Sequence, residues 1–251
     1  MYQGFYNLTS EMLTQTRNMN VISNNMSNVS TPGFKSDQFV ASAFREQMMA
    51  RYNGVDDVTP GGIGTIQMVR CADTTVTDYS TSAFRETTSP LDFAIVDSGF
   101  FCVQTENNGT VYTRDGSFTL DDEGYLTLPM VGRVLGTDGP IQITSDDIIA
   151  DNHGNIYTAG YGELIGTLSV VDFEDYNEQL FKYDNNVFLA DGPGRPIDTQ
   201  VRWKAVERAN VDAAKEMTRM MSGQRSLQSA SQMLKIYDAL IEKTVNQLGP
   251  T

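Results

Sequence analysis

Apolar residues recur every seventh position at the start of the chain: Phe5, Met12, Met19 and Met26, with Leu8, Ile22 and Val29 three residues after three of them. This is the a/d seam of a helix that packs along its length, broken only at Gln15. The pairs Asn24-Asn25 and Ser27-Asn28 weaken its last turns, and Ser30-Thr31-Pro32-Gly33 stops it, because proline drives the preceding residue out of α geometry. The pattern predicts a helix over about 4–28. The same spacing returns at the other end, where Met220, Leu227, Leu234, Ile241 and Leu248 are seven apart and Ala230 and Tyr237 take the second seam position. Asn210 can accept from free backbone N–H groups, and Asp212 and Glu216 suit the first turns through the helix dipole. A helix from there to Gln247 spans on the order of 55 Å.

Between the helices the period changes to short alternating runs separated by turn residues, the pattern of an antiparallel β domain. Residues 99–103 and 111–113 form a predicted hairpin around Asn107-Asn108-Gly109. A second joins 118–120 to 125–128 across Asp121-Asp122-Glu123-Gly124, and a third joins 148–150 to 156–158 across residues 151–155, with glycine supplying positive φ. Further strands are predicted near 133–137, 141–144, 163–172 and 180–190. Residues 35–85 hold few apolar positions, and Thr59-Pro60-Gly61-Gly62-Ile63-Gly64 breaks any helix, so this stretch reads as an extended connector. The expected fold is α+β: N- and C-terminal helices forming a coiled-coil-like domain (1–34 and 204–251), an extended connector (35–85) and one antiparallel β-rich domain (86–203).

Charge and chemistry add mostly exclusions. Eighteen basic against thirty-two acidic residues give a net charge of -14 over 251 residues, which repels nucleic acid and anionic lipid. No stretch approaches the ~20 apolar residues of a membrane span, and the N-terminus lacks a basic segment followed by an apolar run, so any export is expected to proceed without a cleaved signal peptide. Cys71 and Cys102 have no CxxC or Cys/His spacing and read as two buried thiols. The single histidine, His153, sits in a predicted turn without ligand partners, and the glycine-rich segments match neither a dinucleotide fingerprint nor a P-loop. Asp121, Asp122 and Glu123 lack the spacing of a calcium loop. No catalytic, metal or cofactor site is expected, and the chain does not read as an enzyme. The methionine-rich seams differ in length, so pairing the two helices would leave part of the longer seam uncovered, the mark of contacts with other chains.

The segment Asn24-Asn25-Met26-Ser27-Asn28-Val29-Ser30-Thr31-Pro32-Gly33-Phe34-Lys35 closely resembles the signature of flagellar rod, hook and hook-associated proteins, with Asn24, Asn25, Asn28, Thr31, Pro32, Gly33, Phe34 and Lys35 as the matching positions. The resemblance continues at residues 88–95, 99–103 and 112–118 and resumes at 210–212, 216–218 and 224–228, covering nearly the whole chain. Ser27 stands where alanine is usual, Cys102 where an aliphatic is common and Ala209 where serine is common. A chain of this length with one β domain fits the two longer rod types, proximal or distal.

The resemblance implies an inner domain built from the terminal helices and an outer β domain, with no cofactor. It also implies a structural function: subunits that polymerise through their helices into the torque-transmitting, tubular axle of the bacterial flagellar basal body. The implied partners are copies of the chain, other axial proteins of rod and hook, and the flagellar type III export apparatus, with neither nucleic acid nor membrane insertion. The expected assembly interface is Phe5, Leu8, Met12, Met19, Ile22, Met26, Val29, Met220, Leu227, Leu234, Tyr237, Ile241 and Leu248. Phe34 is expected to cover its ring against terminal helices, outside the β domain, with Gly33 at positive φ. A secreted β-rich fibre or adhesin oligomerising through its helices also explains heptads plus hairpins, but not the Asn-Thr-Pro-Gly-Phe-Lys signature.

Overall fold

The computed structural model of the chain describes residues 2–43, 46–51, 61–67, 70–105, 109–143, 148–160 and 162–248. The described residues fall into two compact units, one within the ranges 1–26, 37–76 and 213–251, the other within 27–36 and 77–212. In chain order the first unit supplies α1 (Tyr2–Ser27), β1 (Asp37–Ala43), β2 (Glu46–Arg51), β3 (Gly61–Gln67) and β4 (Arg70–Thr77). The second unit supplies β5 (Phe84–Glu86), β6 (Phe93–Ile95), β7 (Phe100–Thr105), β8 (Gly109–Thr113), β9 (Thr119–Leu120), β10 (Leu126–Leu128), β11 (Gly132–Gly136) and β12 (Gly139–Pro140). It continues with β13 (Ile148–Ala150), β14 (Asn155–Thr158), β15 (Leu164–Thr167), β16 (Val170–Asp172), α2 (Tyr176–Gln179), β17 (Leu180–Lys182), β18 (Val187–Ala190), β19 (Arg195–Pro196), β20 (Val201–Trp203) and β21 (Ala205–Glu207). The long α3 (Ala213–Leu248) belongs to the first unit again.

In the first unit the connector is extended, yet it is also paired. β1 pairs with β4, and β2 runs antiparallel to β3 from Glu46↔Gln67 to Arg51↔Gly61, with a register shift between Met49 and Ala50. The sequence shows no pairing here because these strands do not alternate strongly enough to mark a buried face.

The second unit is built around β7. Its alternate side chains enter two different clusters: Phe101 and Val103 join the main core with Phe118, Val111, Leu126 and Val134, while Phe100 and Cys102 pack with Tyr112, Val171 and Phe188. A strand buried on both faces reads as a continuous apolar run, which is why Phe100-Phe101-Cys102-Val103 lacks polar alternation. β7 pairs with β8, β11 and β16, and the sheet runs β17-β18-β8-β7-β11-β10-β9. The expected hairpins are present: Phe101↔Thr113 in β7–β8, Leu126↔Leu120 in β9–β10 and Ile149↔Tyr157 in β13–β14. Gly124 and Gly154 take φ +80 and +75 in their turns, whereas Asn107 and Asn108 lie outside the described residues.

Three expectations are corrected. Of the strand expected near 141–144, residues 141–143 form only an isolated bridge between Gln142 and Tyr125, although Ile141 and Ile143 on either side are buried in the main core; Thr144 lies outside the described residues. α3 begins at Ala213, not directly after Asn210, whose side-chain amide is already bonded elsewhere, as described below. The second unit also reaches past 86–203: residues 27–36, 77–85 and 204–212 fold into it.

Candidate assembly interface

α1 and α3 carry most of the residues of the expected interface, with unequal burial. On α1, Ile22 is buried, Leu8, Met12, Met19 and Met26 are half-buried, and Phe5 is exposed. Val29, just beyond the helix, is half-buried in the second unit. On α3, Met220, Leu227, Leu234 and Tyr237 are half-buried and Ile241 is exposed, while Leu248 ends the helix with its side chain outside the described part. Stepping back from Met220 and Leu227 by the same rule reaches Gly223 and Glu216, both buried, which apolar counting passes over because neither is hydrophobic. A methyl group on Gly223 would lie 2.9 Å from Gln15 Nε2 and 3.2 Å from Met19 Cγ, so the helices approach closely where α3 has no side chain. Gln15, the break in the first seam, therefore lies over the gap in the second.

The first unit also fixes where the chain leaves α1. Asn25 is buried, its Oδ1 accepting from the Asp37 backbone N–H (3.0 Å) and its Nδ2 donating to the Asp37 carbonyl (2.8 Å). A side-chain amide has the same donor and acceptor spacing as a peptide, so Asn25 pairs with β1 as a strand residue would. Asn24 is exposed and Asn28 half-buried; the Asn28 carbonyl accepts from Thr31 N–H (3.1 Å) and its Oδ1 from the Thr31 hydroxyl (3.2 Å).

Residues 31–36 belong to the second unit, and there the signature forms a buried ionic anchor. Gly33 takes φ +64, and its N–H donates to the Glu207 carbonyl (2.8 Å). Any Cβ at this position would lie 2.3 Å from the Arg114 carbonyl carbon, so glycine is required by conformation and by space. Phe34 does not lie outside the β-rich unit: its buried ring carries Lys182 Nζ 4.0 Å from the centroid, a cation–π contact within that unit. Pro32 is half-buried, and its carbonyl accepts from Asn186 Nδ2 (3.0 Å).

Lys35 is 1% exposed and donates to Glu207 Oε1 (2.8 Å) and to the Ser80 carbonyl (2.7 Å). Glu207, also 1% exposed, accepts through the same oxygen from Ser82 N–H (2.8 Å). Arg114 Nη1 stands 3.5 Å from Glu207 Oε2, an ion pair without hydrogen-bond geometry, and its guanidinium carbon lies 5.2 Å from the Phe100 ring centroid. Asn210 Oδ1 accepts from Ser36 N–H (2.6 Å) while Nδ2 donates to the Asp78 carbonyl (2.7 Å), which is why it is not available to cap α3.

Two cations thus share one carboxylate in a buried site. Burial pushes the Lys35 ammonium below its ordinary pKa against the attraction of Glu207, and burial likewise lowers Arg114 against the same opposing carboxylate. Lys35 was legible as a signature position. Arg114 lies in the matching segment 112–118, but nothing in its sequence neighbourhood or that of Glu207 announces that these charges are buried together with Lys35.

His153 is exposed in its turn with Nδ1 3.3 Å from Asp198, and the free Cys102 is buried, its thiol pushed up by burial; the Cys71 side chain lies outside the described residues. Asp121 and Glu123 bond to Arg133 at 3.1 and 2.6 Å. Among the described residues no cluster suits a metal ion, and no helix is long and apolar enough to cross a membrane.

Three family profiles match the chain: Flagella basal body rod protein over residues 5–35, Flagellar hook protein FlgE/F/G D1 domain over 94–159, and Flagellar basal body rod FlgEFG protein C-terminal over 204–248. The flagellar basal-body rod protein FlgG of Bacillus subtilis (strain 168) is 30% identical, covering 98% of this chain and 99% of its own length. FlgG of Buchnera aphidicola subsp. Schizaphis graminum is 30% identical over 91% of this chain and 93% of its own length. The rod protein FlgF of Caulobacter vibrioides is 26% identical, with 99% of both chains covered. The first and last profiles span the signature anchor from both sides, one ending at Lys35 and the other beginning just before Glu207, and with end-to-end similarity to curated rod proteins the chain belongs to the flagellar basal-body rod protein family.

Proposed function

We propose that this structural, non-enzymatic rod subunit polymerises through α1 and α3 into a tubular axle of the flagellar basal body that transmits torque. The observation that carries this reading is the apolar surface α3 leaves open: Met217, Met221, Met233, Ile236 and Leu240 are each about half exposed along a 36-residue helix. Covering such side chains is worth about 1.5–3 kcal/mol apiece, and exposed apolar surface on this scale marks contact with other chains. Contacts that do not close into a ring propagate as a helix, the symmetry of a rod. Close-packed helical interfaces compress little, which suits a shaft under torsion.

The relatives are named as rod proteins, which supports a place in the basal body beside other rod and hook subunits. Export of the unfolded chain through the flagellar apparatus belongs to the same proposal. The Asn, Ser and Thr content of α1 supports it by keeping that helix's intrinsic propensity low until neighbours order it.

The test is Leu234→Asp, which puts a carboxylate into the α3 seam with no cation provided for it. The second unit should unfold at the wild-type denaturant concentration while complete rods and swimming are lost. Wild-type motility in this variant would show that the seam is not an interface.

A further inference from the structure

Charge is divided unevenly between the units. Nine basic and nine acidic residues fall in the helical unit, against nine basic and twenty-three acidic in the β-rich unit. On so acidic a body, four of the nine bases lie on or beside the short strands β5, β20 and β21: Arg85 on β5, Arg202 on β20 and paired with the exposed Glu86 of β5 (3.4 Å), and Lys204 and Arg208 on either side of β21. Between Arg85 and Arg208 lies a groove of about 360 Å³ whose apolar lining comes from Val29, Pro32, Phe84 and Val206. Arg85, opposite Val206 in the β5–β21 ladder, and Arg208, two residues beyond Val206, both line this groove. Neither arginine side chain has an ion pair among the described residues, and β5 pairs only with β21 there.

The same unit carries a surface of opposite character. β17 ends the ten-stranded sheet, and with Lys182 turned inward over Phe34, its neighbours Phe181 and Tyr183 point outward, 57% and 51% exposed. They are flanked by the exposed carboxylates Glu178 and Asp184, which also have no ion pair among the described residues. An exposed aromatic pair on an edge strand is a surface that needs covering.

We propose that these surfaces are the two halves of one contact: Phe181 and Tyr183 of one copy enter the groove of a second copy, with Glu178 and Asp184 meeting Arg85 and Arg208. The pairing rests on the polymerisation reading above and extends it from the helices to the β-rich unit. Different patches on the same chain make the contact heterologous, so each copy keeps one patch free for the next and the contact propagates. Opposite charges around an apolar centre fix the register and reject the like-charged remainder of the acidic unit.

The experiment uses rods isolated from cells that make the full chain. Arg85→Glu with Arg208→Glu should cut complete rods per cell by about tenfold or more, since like charges facing each other across a contact cost several times the thermal energy. Adding Glu178→Arg and Asp184→Arg to the same chain should restore them, which a folding defect would not allow. Oxidation of rods carrying both Arg85→Cys and Phe181→Cys should give a ladder of covalent dimers, trimers and longer species, while either single variant should not. If wild-type chain forms no polymer, the polymerisation reading falls and this contact with it. If rods form but the double-cysteine chain gives no ladder and the charge reversal leaves their number unchanged, this contact alone is overturned.

Discussion

Replacing Glu207 by glutamine removes the single carboxylate that Lys35 and Arg114 share, and the arrangement of charges predicts that this costs far more than replacing Lys35 by methionine. In Glu207→Gln two buried cations face each other without a counter-ion, and breaking a buried pair in this way costs about 3–5 kcal/mol. In Lys35→Met the remaining Arg114 and Glu207 are balanced, Ser82 N–H still has its acceptor, and the loss is confined to the Ser80 carbonyl and one charged hydrogen bond, about 1–3 kcal/mol. Because burial already pulls the Lys35 pKa down in spite of Glu207, the true cost belongs at the low end. Trp203, the only tryptophan, reports directly on this unit, with Nε1 donating to the Pro90 carbonyl at 2.7 Å. Urea unfolding of the full chain followed by its fluorescence should place the midpoint of Glu207→Gln well below that of Lys35→Met, with similar slopes. The pH dependence supplies a second check. With its folded pKa below its unfolded one, Lys35 makes the folded state bind fewer protons between the two values, so it contributes stability that rises with pH across that window. The difference in stability between wild type and Lys35→Met should therefore shift in favour of wild type as pH climbs through it. Equal costs for the two substitutions, or a difference that runs the other way with pH, would refute the shared-carboxylate account.

Two further substitutions probe the same turn. Gly33→Ala forces a side chain into positive φ and against the Arg114 backbone, and should lower the Trp203-monitored midpoint by more than the roughly 1 kcal/mol of the conformational preference alone; an unchanged midpoint would mean that the turn does not dock on β21. Phe34→Ala should destabilise the second unit by about 3–5 kcal/mol, the usual cost of emptying a buried phenylalanine site, and thermal unfolding that leaves this unit's transition untouched would place the ring elsewhere.

What the sequence determined by itself is what short-range physics encodes. Heptad spacing marked α1 and α3 to within a few residues because a helix repeats its own geometry, and the turn residues marked three hairpins because a tight turn limits which φ values are possible. Gly33 was legible as a positive-φ residue for the same reason. Tertiary structure alone decided the partners. Lys35 finds Glu207 across 172 positions of sequence, and no local pattern announces which carboxylate a lysine will be buried with. Asn210 looked like a helix cap because its amide suits one, but Ser36 and Asp78 reach that amide first. Gln15 looked like a defect in a seam until Gly223 was seen beneath it. Phe34 looked as though it needed a helix to cover it, because its neighbours in sequence are polar; Lys182, far along the chain, lays its ammonium over the ring instead. In each case the local sequence fixes what a residue is able to do, while the free energy that selects among those options comes from groups brought near only by the folded chain.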